Sequence, residues 1–108
     1  MAKFAVFFTF KGETVKSLMD KPSNRAEVVS RACEDLGGRM ESYYLMFGAW
    51  DGFVIAELPD SKAAATMSLA VTSTGSFERV ETHELLDAGE LGGVLDAASH
   101  LRYTPPGS

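Results

Sequence analysis

The sequence predicts an α+β domain with chain order βαββαβ, an antiparallel sheet ordered 4-1-3-2 and two helices on one face. Three observations lead there. Apolar runs of period two and period 3.6 follow one another in that order. The first and third strand-like runs carry the least charge, and this sheet order puts them inside. The charged second and fourth become edges, where charge discourages unwanted pairing. A chain of 108 residues also has room for one domain only, at about 150 residues per domain.

The first strand runs from Phe4 to Phe10. Phe4, Val6, Phe8 and Phe10 share one face, and Ala5, Phe7 and Thr9 the other. One face is wholly apolar and the second only half polar, which suits a central strand. Lys11 to Met19 reads as a turn with a short helical piece carrying Val15, Leu18 and Met19. A longer helix follows, opened either by Pro22 in its first turn or by a capping box of Asn24 and Glu27. Val29, Ala32, Cys33 and Leu36 form its apolar stripe, and Gly37-Gly38 closes it. The second strand is Arg39–Phe47, then a turn over Gly48–Gly52, then a third strand Phe53–Leu58. Asp60 caps a helix through Ser61–Thr74 with Ala63, Met67, Ala70, Val71 and Thr74 inward, and Gly75 stops it. Phe77–Leu86 is the polar fourth strand.

Residues 1–86 thus make a ferredoxin-like domain, and residues 87–108 an addition to it. Asp87 and Glu90 fit a second capping box, and Leu91, Val94, Leu95 and Ala98 repeat the helical stripe. Gly92-Gly93 weakens that helix by roughly 1–2 kcal/mol against alanines, so packing from outside must hold it. The tail from Leu101 to Ser108 is expected to be extended.

Composition narrows the function. Ten basic against fifteen acidic residues give −5, which argues against nucleic acid as a partner. The charge is uneven, basic over residues 1–40 and acidic over 77–108. No run is long and apolar enough to span a membrane, and the Phe4–Phe10 run lacks the cleavage site of a signal peptide. A soluble cytoplasmic protein is expected. One cysteine, Cys33, leaves no internal disulfide and reads as a small buried hydrophobe. His83 and His100 have no partners at ligand spacing, so no metal is expected. Gly48 and Gly52 lack a following Lys-Ser/Thr, so no phosphate loop and no cofactor are implied.

Five residues are candidates for chemistry. Glu57 lies in an interior strand, where a carboxylate needs a cation, a donor, a proton or a solvated cavity. A raised pKa there would suit acid–base catalysis, and an arginine partner would make it structural. His83 is the second catalytic candidate, on the same parity as Phe77, Arg79 and Glu81. Tyr44, Trp50 and Asp51 are candidates for ligand binding. Tyr43 and Tyr44 point to opposite faces, so one can be core while the other lines a pocket. Trp50 suits a ligand stack or a subunit interface, and Asp51 a ligand contact or a hairpin brace.

Tyr43 to Asp51, then Phe53–Glu57 and Pro59-Asp60, resembles the GYD-domain family. Its signature is a Gly-x-aromatic-Asp hairpin, an apolar strand and Glu-x-Pro-Asp before a helix. Two departures stand out: Trp50 replaces the usual tyrosine, and Gly52 sits where an apolar residue is commoner. The resemblance implies a ferredoxin-like domain of the dimeric α/β-barrel type, mostly bacterial and without a settled activity. The hairpin is also similar to the amino-acid-binding domains of Lrp/AsnC-type regulators, although no helix-turn-helix is present here.

Two helices can cover only one face of such a sheet. The other face, with Phe7 and alternate residues of strands two and three, is expected to pack on a second copy as a homodimer or larger homo-oligomer. Three functions fit: a module that binds or senses a small molecule, a cofactor-independent enzyme using Glu57 or His83 near Tyr44, and an interaction module.

Overall fold

A computed structural model describes residues 1–107. Its elements are β1 (Ala2–Phe10), α1 (Gly12–Asp20), α2 (Arg25–Asp35), β2 (Arg39–Leu45), β3 (Gly52–Leu58), α3 (Ser61–Thr72), β4 (Phe77–Leu85), a 3-10 turn (Ala88–Glu90) and α4 (Leu91–Ser99). The sheet order is β2-β3-β1-β4, antiparallel throughout. This is the expected ferredoxin-like arrangement, with the two least charged strands inside.

Helix ends follow their local chemistry. α2 starts at Arg25, since the Asn24 side chain accepts the Glu27 N–H at 3.1 Å. Pro22 therefore lies in the link before the helix, outside its first turn. Glu27 pairs with Arg31 instead of returning to Asn24, so only half of the capping box forms. At the other end the Gly38 N–H donates to the Cys33 carbonyl at 2.9 Å, with Gly37 left-handed at φ 83°. A Cβ on Gly38 would run into the Glu57 carbonyl, which is why the chain needs glycine there. Asp60 caps α3 by accepting the Ala63 N–H at 2.9 Å, and α3 stops at Thr72, two residues short of the expected end.

Two irregularities in the sheet decide which side chains share a face. Met40 pairs with Ala56 and Ser42 with Ile55, leaving Glu41 as an extra residue in β2. Phe10 pairs with Phe77 and Thr9 with Arg79, leaving Glu78 extra in β4. Each bulge breaks the simple alternation. Phe77 therefore parts from Arg79, Glu81 and His83, with which it shares sequence parity, and turns to the helices. β2 also ends at Leu45, and Gly52, expected in the turn, opens β3.

The core lies between sheet and helices, with Phe4, Phe8, Cys33, Val54, Ala56 and Leu58 buried. α2 packs over β2 and β3, and α3 over β3 and β4. Within α3 the buried pair is Ala63 and Ala64, while Ala70 stays exposed. Among the described residues α4 packs mainly against the 3-10 turn before it, and every one of its residues is exposed. The chain accordingly measures 57 × 34 × 23 Å.

Candidate functional site

The two faces of the sheet present different chemistry. On the open face, Phe7 is the hub of an aromatic cluster. Its ring centroid lies 5.7 Å from Phe53, 5.8 Å from Trp50 and 6.1 Å from His83, and Tyr44 lies 5.6 Å from Phe53. Arg79 sits over the Trp50 ring at 4.0 Å. Four of the residues singled out from sequence (Tyr44, Trp50, His83 and Glu57) share this face.

Glu57 sits at one end of that face, where the bulge in β2 brings both Arg39 and Glu41 beside it. Arg39 donates to its two carboxylate oxygens at 3.1 and 3.2 Å, while Lys3 meets Glu41 at 3.0 Å. The Arg39 hydrogen bond, with help from Glu41, holds the Glu57 carboxyl below the usual carboxylate range against a smaller desolvation effect. The shift runs opposite to the raised value that acid–base catalysis would want, and the cation is supplied by the chain itself. His83 is exposed and contacts Glu81 at 2.9 Å.

Asp51 braces the hairpin. Its Oδ2 accepts the Phe10 N–H at 2.8 Å, and its own N–H donates to the Phe8 carbonyl at 2.8 Å. Thr9 and Arg79 both donate to the Ala49 carbonyl, at 2.9 and 3.1 Å. The hairpin tip is thereby stitched across β1 to β4. Gly52 is explained by the same closeness: a Cβ there would lie 2.5 Å from the Phe8 ring and 2.7 Å from the Tyr44 carbonyl.

The covered face holds the larger opening. α2 and α3 stand apart over the sheet and leave a cleft of about 570 Å³, within the range of small-molecule sites. Val6, Phe8, Val54 and Val80 form its floor, Val29 and Met67 stand on its sides, and Leu18 of α1 also lines it. A second hollow of about 490 Å³ shares Phe10, Leu18, Arg25 and Tyr43 with it. Burial pushes the Tyr43 phenol above its ordinary value, with the nearby Arg25 charge opposing. Thr82 offers the cleft a hydroxyl whose oxygen is buried without a hydrogen-bond partner. Cys33, also on the lining, has its thiol pushed up by burial first and by Glu34 second, so it is a poor nucleophile.

Tyr43 and Tyr44 point to opposite faces, as their alternation in β2 predicts. Tyr43 lines the cleft, and Tyr44 is 59% exposed on the opposite face, although it touches the second hollow. Lys21, Arg25 and Thr82 were not singled out, and the only available signal was that Thr82 and Val80 share parity. Among the described residues no group of three or more His, Cys, Asp or Glu is placed to hold a metal, and no helix is long and apolar enough to cross a membrane.

Sheet, helices and cleft define a ferredoxin-like α+β domain with an apolar cavity under its helices. The chain belongs to the GYD-domain family, whose model matches residues 4–95. No functionally curated protein matches it. Among solved structures it is similar to the protein TTHA0845 of Thermus thermophilus, with TM-score 0.51, 19% identity, and 82% of this chain and 96% of that one covered. It is also similar to the hypothetical protein PHS023 of Pyrococcus horikoshii, with TM-score 0.51, 10% identity, and coverage of 83% and 95%. The protein FFRP-DM1 aligns with TM-score 0.50 and 12% identity over 80% of this chain and 100% of that one. At these identities the likeness concerns the fold.

Proposed function

We propose that the protein is a small-molecule-binding module that works as a homo-oligomer. The observation that carries the binding role is the apolar cleft between sheet and helices. A well-packed domain closes such space with its own side chains, yet here α2 and α3 stand apart over a floor of Val and Phe. The unpartnered Thr82 hydroxyl suits a polar atom on the guest, since buried polar groups normally find a partner.

Self-association rests on two surfaces. The open face presents the Phe7, Phe53, Tyr44 and Trp50 rings, which makes Tyr44 and Trp50 interface residues on this reading. Residues 87–107 form an arm whose Leu91, Val94 and Leu95 are roughly half exposed. A nine-residue helix holding Gly92-Gly93 is unstable alone in water, so a second copy is the natural surface for it. Glu57, paired with Arg39, and His83, beside Glu81, lie on that same open face.

Native mass spectrometry of the purified protein tests both parts at once. The expected spectrum shows at least a dimer with a small organic adduct. Ala70→Trp, placed on the exposed lip of the cleft, should remove the adduct and leave the copy number unchanged. A bare monomer that also fails to take up an apolar dye would refute the reading.

A further inference from the structure

The rim of the cleft carries a charge pattern that runs against the rest of the chain. The protein has fifteen acidic residues and a net charge of −5, yet among the described residues no Asp or Glu lines the cleft or the hollow that adjoins it. Two cations do line the cleft, Lys21 and Arg25. Among the described residues neither makes a salt bridge or a side-chain hydrogen bond. The other cations on the sheet are occupied: Lys3 and Arg39 by Glu41 and Glu57, Arg79 by Trp50 and the Ala49 carbonyl. Arg25 opens α2 and so stands at the positive end of that helix dipole, where a negative charge is favoured. Tyr43, which lines the cleft and the hollow together with Arg25, adds a hydroxyl donor.

We infer that the cleft takes an anionic amphiphile, a monocarboxylate with a long apolar body, its head held at the mouth by Lys21 and Arg25. The inference rests on the reading of the cleft as a binding site and adds the class of ligand. The apolar body lies over Val6, Phe8 and Val54 and between Val29 and Met67, displacing water from a surface that has few polar groups. The carboxylate stays at the rim, where a guanidinium offers paired N–H donors and an ammonium a point charge. Keeping the charge at the mouth avoids the cost of burying it among valines and phenylalanines.

The test is a titration of the intact chain with dodecanoate and with dodecanol, read by displacement of the neutral dye Nile red. Dodecanoate is expected to bind roughly tenfold tighter than dodecanol, the effect of two partly screened charge contacts. Added salt should narrow that gap. Lys21→Gln with Arg25→Gln, both outside the core, should erase the preference while dodecanol binding holds. Ala70→Trp should weaken both ligands. Equal binding of acid and alcohol to the natural chain would overturn the charge assignment and leave the cleft reading standing. A preference that survives the double substitution would also overturn it. Dye and ligands indifferent to Ala70→Trp would remove the cleft itself, and this inference with it.

Discussion

The two faces of one sheet solve opposite problems. On the open face every charged or aromatic group finds a neighbour within the chain: Glu57 with Arg39, Trp50 with Phe7 and Arg79, His83 with Glu81. On the covered face every strand contributes apolar residues, yet the helices above leave space of about 570 Å³ among them. Polar groups are satisfied where the chain meets solvent, while space is left unfilled where it is driest. The contrast teaches that apolar patterning alone does not close a core. Closure also needs helices near enough to interdigitate.

Substituting one aromatic residue from each face should expose the difference most clearly. Phe8→Ala removes the ring that meets Phe10, Tyr43 and Phe77 beneath the helices. It should cost about 3–5 kcal/mol by urea denaturation. Phe7→Ala on the open face should cost about 1 kcal/mol, mainly from ring contacts, and should weaken self-association in light scattering. Equal losses would show that the faces are energetically alike and that the comparison fails.

Gly52→Ala sharpens the same point, because a single methyl meets the Phe8 ring and the Tyr44 carbonyl at once. Overpacking of about 1–3 kcal/mol is expected, and a neutral result would mean that β1 and β3 can part freely. Asp51→Ala comes next. It leaves the Phe10 N–H without its acceptor and should lower stability by about 1–2 kcal/mol, with hydrogen exchange at Phe10 rising in step.

Glu57→Gln should have the smallest effect at neutral pH, because the pair with Arg39 is solvent-exposed and screened. Its sign with pH is definite. Arg39 lowers the folded-state pKa of Glu57 beneath the unfolded value near 4.5. The contribution is therefore complete above that value and is lost as pH falls through the folded one. The substituted chain should show a shallower acid limb in a stability-against-pH profile, and an unchanged limb would place the acid sensitivity elsewhere.

Element order, sheet order and the α2 stripe were legible because each is local: period two, period 3.6, caps at Asn24 and Asp60, and the charge ranking of the strands. Asp51 as a turn brace and Cys33 as a buried hydrophobe were legible for the same reason. The stripes expected in α3 and α4 were not, since Ala70, Thr74 and all of α4 are exposed. The facing of β2 and β4 was not either. A bulge is one residue out of step with a partner strand, and nothing in Met40–Ser42 or Phe77–Arg79 announces it.

The sequence by itself determined that two helices and four strands would form a half-covered sheet, since apolar periodicity and turn residues act within a few positions along the chain. Only the tertiary structure decided that Glu41 and Glu78 would bulge, that Tyr43 and not Tyr44 would line the cleft, and that Arg39 would claim Glu57. It also decided how far apart α2 and α3 stand. Those outcomes depend on contacts between residues distant in the chain, where register and helix spacing are settled by packing.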